Sequence, residues 1–196
     1  MTWWFYELLG SLRFLSATGQ EGFWRSKRVY ELVIPAVVAG VGTLGALFFP
    51  DLMRPDTLKR LADGLFQFMV FVVPFHLAAL AAVATFTRPQ LDLPLKGSDV
   101  TLRVWDNLQG EYFLKTLTLR QYTCLLFGYL CSIGMAFILV YVVASGLNLP
   151  WLFGCSAAVI ERAAVFLLVF YLAHYGTLTI YAVTFLFDKV SEIESR

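Results

Sequence analysis

The stretch "GLFQFMVFVVPFHLAALAAVATF", residues 64–86, decides the fold because it contains no charged side chain. About 20 apolar residues in a helix are enough to cross the hydrocarbon core of a bilayer. Pro74 lies inside the stretch, and neighbouring helices make such a proline tolerable in a transmembrane helix. Three further long apolar stretches predict one helix each: residues 29–49, 122–147 and 163–187. We therefore predict an all-α integral membrane protein with four transmembrane helices.

The composition agrees with burial in lipid. The chain has 196 residues, of which 59% are hydrophobic and 15% charged, and its mean hydropathy is +0.70. Soluble domains carry about 25% charged residues, and a chain this short cannot hide so much apolar surface in its own core. The lipid bilayer is therefore the first expected partner. The net charge of +1 creates no overall field, so no direct contact with nucleic acid is expected.

The basic residues predict the orientation, because cytoplasmic loops carry an excess of Lys and Arg. One predicted side has eleven of the fifteen: Arg13, Arg25, Lys27, Arg28, Arg88, Lys96, Arg103, Lys115, Arg120, Lys189 and Arg196. The other side has four: Arg54, Lys59, Arg60 and Arg162. Both termini and the loop after the second span are therefore predicted to be cytoplasmic in a multi-pass protein.

This topology divides the chain into five parts. They are an interfacial amphipathic segment (1–28), transmembrane helices 1 and 2 (29–87), a cytoplasmic insert (88–121), transmembrane helices 3 and 4 (122–187) and a cytoplasmic tail (188–196). In the first part, a helical winding places Leu8, Leu12 and Leu15 on one face and Arg13 on the other. The segment then lies in the membrane interface, either as a simple anchor or as a site for lipid or a partner.

The insert 88–121 is the one sizeable stretch that is not apolar. "VTLRVW" (100–105) alternates as a strand does, and "DNLQG" (106–110) is typical of a turn, so a β-hairpin is one interpretation. A short elbow followed by a cytoplasmic extension of the third helix fits equally well. Either form needs something to pack against, since a hairpin alone is marginal in water.

Aromatic and basic side chains in the insert are the types that anchor protein interfaces. We expect the partner-binding residues to be Trp105, Tyr112, Phe113 and Arg103. Packing of these side chains onto the membrane face or onto another copy is the alternative.

Polar residues inside the predicted spans are few. His76 and Gln67 lie in the second span, and His174 and Thr177 in the fourth. They could line a proton or ion path, since intramembrane ionisable groups often have a function. The alternative is a neutral imidazole hydrogen-bonded between helices. The acidic residue Glu31 lies at the end of a span, whereas a proton-coupled transporter would need an acidic residue at mid-membrane.

Small residues recur along two spans, where they allow helices to approach closely. The helix-packing candidates are Ala36, Gly40, Gly128 and Ser132. They could pack the helices of one chain or join several copies, and a pore would need several copies in a ring.

Catalytic, metal-binding and cofactor-binding motifs are not evident in the sequence. We therefore predict no catalytic residue, metal or cofactor, and no enzyme activity. Cys124 and Cys131 are seven residues apart on one predicted helix, about 10 Å along its axis, which is too far for a disulfide.

In span number, size and cytoplasmic insert, the chain resembles the small four-span membrane subunits of bacterial anti-phage defence systems, such as the KwaA subunits of the Kiwa system. The resemblance covers the whole chain and rests on architecture, not on a motif. It implies an inner-membrane oligomer that works with a cytoplasmic partner acting on nucleic acid, and it transfers no site residue.

Taken together, these features predict a polytopic membrane anchor and sensor subunit that forms a homo-oligomer. The insert would recruit a cytoplasmic protein subunit, in anti-phage defence if the resemblance holds. An oligomeric channel or membrane-disrupting effector is the alternative. A proton-coupled transporter or membrane enzyme is the third interpretation.

Overall fold

The computed structural model describes residues 10–17, 28–48, 56–87, 89–94, 101–106, 110–146 and 157–194. Helices dominate this part of the chain, as predicted. They are α1 (Ile34–Phe48), α2 (Thr57–Thr85), α3 (Leu119–Ser145) and α4 (Ala157–Glu194). Short 3₁₀ segments at Gly10–Ser16 and Pro89–Asp92 complete the helical structure, and a π-helical turn, Val29–Val33, leads directly into α1.

Three of the helical segments are long and apolar enough to cross a membrane: Thr57–Thr85, Leu119–Ser145 and Ile160–Asp188. The first predicted span corresponds to a shorter apolar helix, Val29–Gly45. α2 continues through Pro74 without a break. The expectation of a predominantly helical membrane protein is thus confirmed.

The insert contains a β-hairpin, the first of the two forms that its sequence allowed. β1 (Thr101–Asp106) pairs antiparallel with β2 (Glu111–Thr116), from Thr101 opposite Thr116 to Asp106 opposite Glu111. Gly110 precedes β2 with a φ of 67°, a left-handed conformation that glycine adopts without steric cost. The insert therefore adds a two-stranded sheet to the helical fold.

Aromatic contacts fix how the helices pack. α2 packs chiefly against α3, and α1 against α4. At one end of the α2–α3 pair, Phe66 stacks on Tyr141, whose hydroxyl donates a hydrogen bond to the Asp63 carboxylate. Tyr30 stacks on Tyr181 with ring centroids 4.7 Å apart, which joins the turn before α1 to α4. The main buried cluster is formed by α2, α3 and α4 together with the N-terminal segment.

The N-terminal 3₁₀ segment Gly10–Ser16 enters this core. Phe14 is completely buried, and its ring stacks on Tyr129 of α3 with centroids 5.2 Å apart. Leu15, placed by the sequence on the apolar face, is 45% exposed. The residues of the interfacial prediction before Gly10 lie outside the described part. The segment Gly10–Ser16 therefore inserts one aromatic ring between the helices.

The small residues predicted to mediate helix packing have few neighbours within the chain. A Cβ atom at Gly40 or Gly128 would have no atom of another described element within 4 Å. Ala36 is exposed, and the Ser132 hydroxyl donates to the Gly128 carbonyl of its own helix. The close approach lies instead at Gly134, where a Cβ would be 2.5 Å from Val73 Cγ2. Packing of the predicted residues against another copy stays a prediction.

Gly134→Ala should destabilise the protein, because the new methyl group overlaps Val73 and also lies 3.1 Å from the Tyr175 hydroxyl. Overpacking of this kind costs about 1–3 kcal/mol. The free energy of unfolding, measured by denaturant titration in mixed micelles, should fall by that amount. Gly128→Ala on the same helix is the matched control, and it should not lower stability. Equal stability of the two variants would show that α2 and α3 are not in this contact.

Candidate functional site

The exposed strand β2 is the first candidate site. All six of its residues are exposed, including Tyr112 (55%), Phe113 (46%) and Leu114 (67%). Three adjacent large apolar side chains that the rest of the described chain leaves uncovered are unusual outside interfaces. Tyr112 and Phe113, which the sequence singled out for partner binding, therefore lie where a partner could reach them.

The other two predicted partner-binding residues lie on β1. The strand register places Trp105 opposite Tyr112 and Arg103 opposite Leu114. Their side chains lie outside the described part of the structure. The hairpin thus brings the backbones of all four predicted residues together on two neighbouring strands.

Arg120 fixes the base of the insert to the helices. Its Nε and Nη2 atoms donate to the two carboxylate oxygens of Asp92, at 2.8 and 3.2 Å. Its Nη1 atom donates to the carbonyls of Val83 and Ala84, at 3.0 and 3.3 Å. These carbonyls belong to the last turn of α2, where helical partners run out and a positive charge is favourable. One side chain therefore joins α2, the 3₁₀ segment Pro89–Asp92 and α3.

The start of α3 is also fixed. The Thr118 hydroxyl accepts from the Gln121 backbone N–H, and the Gln121 side chain accepts from the Thr118 backbone N–H, which is a capping box. The Leu119 N–H donates to the Leu93 carbonyl at 3.3 Å. Hydrogen bonding by the Arg120 guanidinium lowers the pKa of the Asp92 carboxyl, which favours the charged form that makes this tie. The hairpin is therefore held at a defined place.

Sequence reasoning missed this clamp. Arg120 was counted only as one of the cytoplasmic positive charges, and Asp92 lies on the far side of the hairpin in sequence. The "TLRQ" pattern at residues 118–121 matches a capping box and could have placed the start of α3. No local pattern predicts the pairing of Arg120 with Asp92.

A second candidate site is a polar cluster around His174, at the contact of α4 with the turn before α1. The backbone there is a π-helical turn, Val29–Val33, in which the Ile34 N–H donates to the Val29 carbonyl. The His174 Nδ1 atom lies at the Glu31 carbonyl of this turn. Because a carbonyl can only accept, Nδ1 carries the proton. The imidazole thus donates to the backbone of the turn before α1.

The other nitrogen of His174 reaches α3. Its Nε2 atom lies 2.9 Å from the Tyr129 hydroxyl, which donates to it when the imidazole is neutral. Glu31 is 2% exposed and His174 is 6% exposed. The acidic residue predicted at the end of a span is therefore buried beside α4. One histidine links three helical segments.

His76 makes a similar contact between α2 and α4. Its Nδ1 atom lies 2.9 Å from the Tyr175 hydroxyl, and its ring lies against Phe127. Of the two remaining residues proposed for a pore, Gln67 is exposed and Thr177 is half-buried. The two histidines thus have hydrogen-bond partners within the chain, the arrangement that the sequence analysis gave as the alternative to a path.

One further feature bears on chemistry. Among the described residues, no group of three or more His, Cys, Asp or Glu side chains could hold a metal ion.

Comparison with protein-family models, with curated proteins and with solved structures finds no significant match. The functional interpretation therefore rests on the geometry of this chain.

His174→Leu should lower stability, because it leaves the Glu31 carbonyl and the Tyr129 hydroxyl without their shared partner. Leaving a buried hydrogen-bonding group without its partner costs about 1–3 kcal/mol. Tyr129→Phe removes the hydroxyl at Nε2, so the histidine substitution should cost less in that background. Unfolding free energies of the four proteins in this double-mutant cycle measure the coupling, which should be about 0.5 kcal/mol or more. Additive effects would show that the tyrosine and the histidine do not share a hydrogen bond.

Proposed function

We propose that the protein is a membrane anchor and sensor subunit, with four spans and several copies in its assembly, that recruits a cytoplasmic protein through the insert 88–121. The observation that carries the proposal is the exposure of Tyr112, Phe113 and Leu114 on β2. Interface energy concentrates in a few residues, and tyrosine is among the types enriched there. The membrane would be the bacterial inner membrane, with both termini and the hairpin in the cytoplasm.

The clamp at Arg120 supports recruitment by a preformed surface. A rigid docking element loses less conformational entropy when it binds. Both arms of the insert are tied down, one through Asp92 and the other through the capping box at Thr118. A partner would therefore meet the hairpin in its binding position.

The same connections support a sensing role. β2 leads into α3 through Leu117 and Leu119, which are buried, and Arg120 joins α3 to the end of α2. A shift of these two helices within the membrane would therefore displace the base of the hairpin. A ligand couples to such a shift only if it binds one arrangement better than the other. Bacterial anti-phage defence is the context that we propose for this coupling.

An oligomeric channel is the second candidate. Gln67 favours it, because this polar side chain is exposed on α2 and could face a lumen shared by several copies. His76 and His174 support it less, since each is buried and hydrogen-bonded within the chain. The anchor accounts for the exposed hairpin as well, and we prefer it for that reason.

Trp105→Ala, Tyr112→Ala and Phe113→Ala test recruitment. The soluble protein that co-purifies with the tagged chain in mild detergent is identified, and its binding to each variant is then measured. Loss of a central aromatic anchor removes about 2 kcal/mol or more, so at least one variant should bind about thirtyfold more weakly. Thr116→Ala, also exposed on β2, is the control and should bind normally.

The size of the assembly, measured as its mass in detergent, is followed in the same variants. Weaker binding with an unchanged mass supports recruitment alone. A smaller assembly with unchanged binding would show that these side chains join copies of the chain instead, and a decrease in both would show that they do both. Unchanged binding and unchanged mass in all three variants would contradict the proposal, because the insert would then be only a connector.

A further inference from the structure

Strand β2 has an open edge. The sheet has two strands, so one edge of β2 pairs with β1 and no other described strand pairs with the second edge. The backbone N–H and C=O groups of such an edge form a template for another strand. Two strands alone are marginal, and three or more with an apolar face are needed for independent stability. A further strand is therefore the natural addition to this hairpin.

The sequence of β2 is complementary to itself. Its first five residues read Glu111-Tyr112-Phe113-Leu114-Lys115. In an antiparallel pair of these strands centred on Phe113, each Glu111 lies opposite a Lys115 of the other copy. Phe113 then lies opposite Phe113, and Tyr112 opposite Leu114. Opposite charges and aromatic–aliphatic pairs directly across strands are both stabilising.

Other registers lose this match. The neighbouring registers of a two-fold pair are centred on Leu114 or Tyr112, because opposite residues must project from the same face. A centre at Leu114 places Lys115 opposite Phe113 and Glu111 opposite Leu117. A centre at Tyr112 places Glu111 opposite Phe113 and moves Lys115 past the end of the other β2. Neither arrangement joins the two charges. The self-pairing of β2 therefore has one preferred register.

We propose that β2 pairs antiparallel with β2 of a second copy of this chain, centred on Phe113, to form a four-stranded sheet with the order β1–β2–β2–β1. This pairing rests on the proposed function in one respect, the oligomer, and it does not require recruitment of a partner. Pairing of the same patch on both copies is the isologous contact of a two-fold dimer.

The pairing would create a single apolar surface from two small ones. Residues directly opposite each other project from the same face of a sheet, so Tyr112 and Leu114 of both copies share one face. Phe113 of both copies lies on the other face, with Val104, its partner on β1. The cytoplasmic partner would then meet a platform with two-fold symmetry, so a dimeric partner fits it best.

The symmetry of the pair sets how the hairpin must lie. Copies in one membrane are related by rotation about the membrane normal, and the two-fold axis of an antiparallel strand pair is perpendicular to the sheet. The proposal therefore requires the sheet to lie across the cytoplasmic end of the helices. β1 contacts the Gly10–Ser16 segment, and Leu102 packs against the buried core, so the hairpin lies against the helical part.

Disulfide cross-linking tests the register on the purified chain without any partner. Phe113→Cys places two thiols directly opposite each other, within the Cα separation that a disulfide allows. Glu111→Cys is the control, because its two copies would be more than about 13 Å apart along the strands. Mild oxidation should convert Phe113→Cys to a covalent dimer and leave Glu111→Cys at the background of the unmodified chain. A Tyr112→Cys/Leu114→Cys double variant should also cross-link.

Charge exchange provides a second test that leaves Phe113 in place. Glu111→Lys alone, or Lys115→Glu alone, sets like charges opposite each other twice in each dimer and should reduce the dimeric fraction. The double variant Glu111→Lys/Lys115→Glu restores both opposite pairs and should recover it. Salt should weaken dimers of the unmodified chain and of the double variant alike.

Several results would overturn the proposal. Cross-linking of Glu111→Cys but not Phe113→Cys, or failure of the double charge exchange to restore dimers that both single variants lose, would exclude this register. The thiol of Phe113→Cys can also be labelled with a water-soluble maleimide. Labelling in the isolated assembly that stops only after the partner is added would assign the edge to the partner. Protection by lipid vesicles alone would assign the edge to the membrane surface. Recruitment is measured separately, so either idea can fail without the other.

Discussion

The hydrogen bond from His174 of α4 to the Glu31 backbone carbonyl organises the centre of the molecule. The carbonyl belongs to the π-helical turn that leads into α1, so one side chain joins these two elements. An unsatisfied backbone group inside a membrane costs several kcal/mol, so α1 cannot leave α4 cheaply. The second nitrogen of the same imidazole contacts Tyr129, which brings in α3. Phe14 stacks on that tyrosine and joins the N-terminal segment to the same point.

Under the proposed function, the helical part is a scaffold and the docking surface lies at one end. Arg120 joins the helices to the insert, because it holds the last turn of α2 and the Asp92 carboxylate together. The hairpin then presents Tyr112, Phe113 and Leu114 outward. Self-pairing of β2 and recruitment of a partner are compatible uses of this strand, since one uses its edge and the other a face.

The helices were predictable because burial in lipid demands long uncharged stretches, as in residues 64–86. The form of the insert was not predictable, because its sequence fits both a hairpin with a strand at "VTLRVW" and a short elbow followed by a helical extension. Gly134 escaped notice because the need for a small residue depends on Val73 of another helix. The histidines were located correctly in the apolar stretches, but their hydrogen-bond partners lie far away in sequence. Phe14 was missed because the fold places it inside a core that the sequence of the segment does not reveal.

The most direct test of this account is whether the assembled protein conducts ions. The oligomer is purified, its mass is confirmed in detergent, and it is reconstituted into planar bilayers. If the buried histidines serve packing and the hairpin carries the function, the bilayers should stay silent while the mass remains that of the assembly. Ion currents from the intact oligomer that change with His174→Phe or His76→Leu would contradict the account and place the function inside the membrane.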